Sequence, residues 1–208
     1  YHTLEMTREI VGGGYIAGGT DSVITALQPQ NWKHFNSDAG NWAFARELGK
    51  GNHLGLDTWE GTQWKLKSRN IPFMEQEKQP IAEILEVKGQ SFQKRKNKKV
   101  QFEISPNSTV EILLDNRVLT MGFPQLHISG GKAASIKIQY QEALFDENGQ
   151  KGNRNKWQDK IMKGYYDVLI PDGRERIFEP LWIRVFRYVK LTIQTKDEAL
   201  KIHDFYNI

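Results

Sequence analysis

Apolar side chains recur at every second position through most of this chain, and that period is what a strand with one buried face requires. The clearest runs are SVITAL (22–27), QWKLK (63–67), IAEILEVK (81–88), VQFEI (100–104) and TVEILLD (109–115). QLHIS (125–129), ASIKIQYQEAL (134–144), YYDVLI (165–170), PLWIRVFRYVKLTI (180–193) and ALKIHDF (199–205) continue the pattern. Gly, Asn, Asp and Pro lie between them, which is turn chemistry. No long stretch has the three-to-four spacing of an amphipathic helix. GNWAFARELGKG (40–51) is ambiguous, since Trp42 and Phe44 alternate like a strand while Gly49 could close a short helix. Many short strands with turns predict an all-β fold, an antiparallel β-sandwich or jelly roll.

Composition supports a folded core. Of 208 residues, 38% are hydrophobic and 11% aromatic, too many for a disordered chain. The net charge of +4 owes much to QKRKNKK (93–99), which sits between two expected strands and reads as a solvated loop. A nucleic-acid surface would need basic residues spread over a face with stacking or base-reading groups. There are no cysteines, so disulfides, Cys-based zinc sites and a Cys nucleophile are excluded. No apolar run approaches the roughly 18 residues of a membrane-spanning helix. The start at Tyr1, with neither Met nor signal peptide, suggests a piece of something longer.

A boundary is expected at SRNIPFMEQEKQP (68–80), which carries two prolines and several charges. Residues 78–208 then form one sandwich domain. Residues 1–77 are either the end of a preceding sandwich module or additional strands plus a linker.

Motifs with chemistry are few. GGGYIA (12–17) fits the loose dinucleotide fingerprint, but turn and strand signals follow it where a helix N-terminus should be, so it reads as a glycine-rich loop. His2, His34, His53, His127 and His203 are scattered without metal-ligand spacing. DENG (146–149) holds calcium-type ligands but is also an ordinary hairpin turn. Acidic residues are plentiful, yet none forms an obvious catalytic constellation, so no catalytic residue is assigned. The loop NRNKWQDKIMKGYY (153–166) is different, because Arg154, Asn155, Trp157, Tyr165 and Tyr166 combine aromatic faces with forked hydrogen-bonding groups. A pyranose needs both kinds of group, so these five are the candidate carbohydrate-binding residues, against the plainer reading that the aromatics complete the core or an interface.

One charge stands out. Leu181, Ile183, Val185, Arg187, Val189, Leu191 and Ile193 would share a strand face, which is apolar except for Arg187. Ile136, Ile138, Tyr140, Glu142 and Leu144 form a similar face with one acid. A buried guanidinium needs a carboxylate, so Arg187 and Glu142 are expected to pair inside the sandwich.

The segments LLDNRVLTMGFPQLHISGGKAASIKIQYQEALFDENGQKGNRN, GYYDVLIPDG and FEPLWIRVFRYVKLTIQT resemble the bacterial α-L-rhamnosidase family, in the β-sandwich region just before its catalytic barrel. WKLKSRNIPFMEQ resembles the segment that leads into it, so the likeness covers about residues 60–208. RVFRYVKL is also similar to a strand common in galactose-binding-like sandwiches. The resemblance implies an accessory, non-catalytic part of a glycoside hydrolase, in a periplasmic or extracellular setting. Its partners would be the (α/α) catalytic barrel of the same parent chain and a plant or bacterial polysaccharide containing rhamnose, not nucleic acid or a membrane. It implies no cofactor apart from calcium, which some sandwiches of that family use to bind rhamnose, and no residue here can be matched to those ligands. A free-standing carbohydrate-binding module and a complete small enzyme are the competing readings.

Overall fold

The computed structural model describes residues 4–7, 19–28, 43–48, 68–91 and 100–208. GGGYIA, QWKLK and QKRKNKK, and His2, His34 and His53, lie outside these residues. Within GNWAFARELGKG, residues 43–48 have no regular secondary structure.

The chain groups into two compact units, residues 30–76 and residues 1–29 with 77–208. In the smaller unit, the Arg69 guanidinium lies over the Phe73 ring and donates to the carbonyls of Ile71 and Pro72. The larger unit contains β1 (Leu4–Thr7), β2 (Thr20–Ile24), β3 (Gln79–Pro80), β4 (Glu83–Lys88), β5 (Phe102–Ile104) and β6 (Thr109–Gly122). It continues with β7 (Pro124–Gly130), β8 (Ser135–Gln141), β9 (Tyr166–Ile170), β10 (Gly173–Phe178), β11 (Arg184–Gln194) and β12 (Leu200–Asn207).

These strands make two sheets. One runs β1-β2-β9-β8-β11-β6-β4, and the other β10-β7-β12-β3 with β5 also on β12. All pairings are antiparallel except β2 on β9. Alternate residues of both sheets meet in one core: Ile112 and Leu114 of β6, Ile136 and Ile138 of β8, and Leu191 and Ile193 of β11 face Leu126 and Ile128 of β7 and Ile202 and Phe205 of β12. This is the expected all-β sandwich. β10 was not expected, because GRERIF opens on a glycine and three consecutive charged residues, which hide its period.

The inward face of β11 is not the one the period predicted. Arg184 and Phe186 are buried while Ile183 and Val185 are exposed, yet from Val189 onward the odd-numbered residues are inside. The register against β6 shifts between Phe186 and Tyr188, and this irregularity exchanges the two faces. Facing Arg187 on the partner strand, residues 116–119 lie between the partners of Tyr188 and Phe186, with Arg117 at φ 66° and residues 117–119 exposed.

Candidate functional site

The expected Arg187–Glu142 pair does not form; the carboxylate that Arg187 grips is Asp115. Arg187 donates from Nε to Asp115 Oδ1 at 2.9 Å and from Nη2 to Asp115 Oδ2 at 3.0 Å, a forked pair. Its Nη1 donates to Asn155 Oδ1 at 2.7 Å. Two local facts explain the difference. The register shift turns Arg187 away from the inter-sheet core, and β8 ends at Gln141, so Glu142 does not extend its inward face. Asp115 is opposite Tyr188 on the same outer side of the sheet. The hydrogen bonds that Arg187 donates to the Asp115 carboxylate raise the Arg187 pKa further above its ordinary high value, against the opposing effect of burial.

A buried arginine does exist in the sandwich, three residues earlier. Arg184 forks onto Asp167 through Nε and Nη2, with the Nε contact at 3.1 Å, and its Nη1 donates to the Gly19 carbonyl at 3.1 Å. The Asp21 backbone N–H donates to Asp167 Oδ1, and Asp21 Oδ2 accepts from Leu181 N–H at 2.7 Å. Tyr140 completes this group, with Arg184 over its ring. The cluster joins β2, β8, β9 and β11 at one end of the core.

The outer face of the larger sheet carries a groove of about 460 Å³. Glu83, Ile84 and Leu85 line it from β4, Asp115 and Arg117 from β6, Arg187 from β11, and Asn155 and Trp157 from the loop between β8 and β9. Backbone irregularity makes it. β4 shifts register on β6 between Ile84 and Glu86, which re-aims Leu85, and β11 shifts beside Arg187. Asp115 is the hub, since its Oδ1 also accepts the Arg117 backbone N–H at 2.7 Å. The Arg117 side chain in turn pairs with Glu83.

The loop that brings Asn155 and Trp157 to the groove is tied down along its length. Gln141 Oε1 accepts the N–H groups of Lys163 and Gly164, and Gln139 Nε2 donates to the Gly164 carbonyl. Phe145 and Ile161 exchange backbone hydrogen bonds across it. Tyr188 Oη donates to the Arg154 carbonyl at 2.5 Å, and burial, then the Asp115 charge, pushes the Tyr188 phenol pKa up. Gly164 lies so close to β8 that any Cβ there would collide with the Tyr140 carbonyl oxygen.

Of the five loop residues proposed from sequence, Asn155 and Trp157 line the groove. Arg154 supplies a backbone carbonyl to Tyr188. Tyr165 accepts a backbone hydrogen bond from Tyr140, and Tyr166 sits in β9 with Lys137 Nζ 3.9 Å from its ring centroid. Sequence reasoning missed Asp115, Arg117, Glu83 and Leu85. Only the adjacency of Asp115 to Asn116 and Arg117 in LLDNRV, polar residues interrupting an apolar strand, could have signalled them.

Two further groupings fall on residues that the sequence reading named. His127 of β7 and His203 of β12 stack with ring centroids 4.6 Å apart, His127 bonding Glu175 and His203 bonding Ser129. In DENG, Asp146 Oδ1 accepts the N–H groups of Asn148 and Gln150, as a turn aspartate does. Among the described residues no group of three or more His, Asp or Glu side chains is placed to hold a metal ion.

No family model matches the chain, and no curated protein matches it. Among solved structures it is similar to a family GH78 rhamnosidase of Bacillus sp. GL1, at 17% identity and TM-score 0.40, over 53% of this chain and 11% of that one. A rhamnosidase from Klebsiella oxytoca with rhamnose bound matches at 14% identity and TM-score 0.41, over 63% of this chain and 28% of that one. A native α-L-rhamnosidase from Aspergillus terreus matches at 15% identity and TM-score 0.43, over 93% of this chain and 19% of that one. The chain thus spans less than a third of each of these proteins.

Proposed function

We propose that this chain is a non-catalytic accessory β-sandwich of an α-L-rhamnosidase-like glycoside hydrolase, and that the groove between β4, β6, β11 and the β8–β9 loop contacts carbohydrate. The observation that carries the reading is the placement of Trp157 and Asn155 beside the Asp115–Arg187 fork in one open groove. An indole supplies a face for the apolar side of a sugar ring, and fixed amide and guanidinium groups supply hydroxyl partners. Second, the segments from LLDNRVL to YVKLTIQT, which make up most of this sheet, are those that resemble the rhamnosidase sandwich. The hydrolytic acids then belong to the barrel of the parent chain, which is its partner.

Calorimetric titration of the 208-residue chain with a rhamnose-containing oligosaccharide tests the binding. Trp157→Ala is expected to weaken it about tenfold, which is about 1.4 kcal/mol, with little change in melting temperature. Absence of binding in the parent protein, together with a large loss of stability in the variant, would show that Trp157 serves packing alone. The chain is expected not to cleave an aryl rhamnoside, and turnover that survives repurification would overturn the accessory role.

A further inference from the structure

Resting on that reading, we infer that the groove selects neutral glycans over uronate-bearing ones, because every charge lining it among the described residues is already cancelled within the protein. Among the described residues, four charged side chains line the groove: Glu83, Asp115, Arg117 and Arg187. They form two ion pairs, Asp115 with Arg187 and Glu83 with Arg117. Their formal sum is zero.

The geometry matters more than the sum. A sugar carboxylate is best held by a guanidinium fork, two parallel N–H donors on one acid. The Arg187 fork of Nε and Nη2 is occupied by Asp115, and Nη1 donates to Asn155. Arg117 is engaged by Glu83 at the sheet edge. An incoming anion would have to displace a carboxylate from its arginine, or lie beside that carboxylate and be repelled. What stays available suits hydroxyl groups. Asn155 gives its Oδ1 to Arg187 and keeps its Nδ2 as a donor. Trp157 brings an indole N–H and an apolar ring, and Ile84 and Leu85 add apolar surface. Polar groups of both kinds with no net formal charge describe a site for a polyol.

Asp115 and Glu83 are therefore specificity-determining residues, whose role is to neutralise the arginines. Glu83 is the better one to test, since its strand is the sheet edge and Asp115 is buried under Arg187. The experiment titrates the full chain with two oligosaccharides of equal length, one neutral and rhamnose-containing, one alternating rhamnose with galacturonate. Each is measured at low and high salt. The neutral ligand is expected to bind more tightly than the acidic one, with an affinity that salt barely changes. Glu83→Gln is expected to raise the ratio of acidic to neutral affinity about two- to fivefold at low salt, the scale of one exposed ion pair. Equal wild-type affinity for the two ligands, or a preference for the acidic one that falls steeply with salt, would overturn the inference and leave carbohydrate binding standing. An unchanged ratio in Glu83→Gln would also overturn it. Binding of neither ligand would remove the carbohydrate reading itself, and this inference with it.

Discussion

Two arginines three positions apart on β11 make opposite use of the same chemistry. Arg184 is 3% exposed and holds Asp167, which is fully buried, inside the core. Arg187 is 13% exposed and holds Asp115 at the floor of an open groove. Removing one member of a fully buried pair leaves a stranded charge, at a cost of about 3–5 kcal/mol. Arg184→Met is expected to fall in that range. Arg187→Met is expected to cost less, about 1–3 kcal/mol, because water entering the groove can solvate Asp115. Chemical denaturation of both variants checks the order. A double-mutant cycle gives the partner: Arg187→Met with Asp115→Asn should be clearly less damaging than the sum of the two single changes, whereas Arg187→Met with Glu142→Gln should be additive. Coupling of Arg187 to Glu142 instead would contradict the geometry of the fork.

Strand elements were legible where their period ran unbroken. Ile112, Leu114, Ile136, Ile138, Leu191 and Ile193 all lie inside as alternation predicts. The reading failed where the backbone inserts or exposes residues without changing the letters. PLWIRVFRYVKLTI alternates through its whole length, and nothing in that pattern marks the register shift beside Arg187 that exchanges its faces. The groove was half visible for a related reason. Asn155 and Trp157 announce themselves by type, but Asp115 acquires its role from contacts 72 positions away in the chain. The β8–β9 loop holds the two halves together, and Gly164 is its tightest point, where only a hydrogen fits against the Tyr140 carbonyl. Gly164→Ala must lift the loop from β8 and is expected to cost about 1–3 kcal/mol, the usual range for overpacking. Limited proteolysis should then cut faster between residues 145 and 163, and resistance equal to the parent would show that the loop is held without this contact.

Across the molecule, the buried acids set how stability responds to pH. Burial pushes the carboxyl pKa of Asp21 and of Asp167 above the ordinary 3.8, and Arg184 pulls both back. Asp167 carries the guanidinium fork, whereas the buried Oδ1 of Asp21 has no hydrogen-bond partner among the described residues. The other ionisable group packed against them is Tyr140, whose phenol burial keeps neutral well past its ordinary range. A carboxyl with a raised folded pKa binds its proton more tightly folded than unfolded. The contribution of such a group is therefore full at pH values below the unfolded value near 3.8, and declines as pH rises toward the folded value, by up to about 1.4 kcal/mol per pH unit for each such group. Asp172 acts in the opposite sense, since hydrogen bonds from Arg176 hold its carboxyl below the ordinary value; its contribution is present above pH 3.8 and is lost on acidification. The two effects separate by mutation. Asp21→Asn mimics the protonated acid, so it should match the parent near pH 4 and exceed it increasingly as pH rises, until the Asp21 carboxyl of the parent is fully ionised. Urea denaturation of parent and variant at pH steps from 4 to 8 measures the difference directly. A constant difference across that range would mean that Asp21 is ionised in the folded protein throughout, and that the alkaline slope, if present, belongs to Asp167.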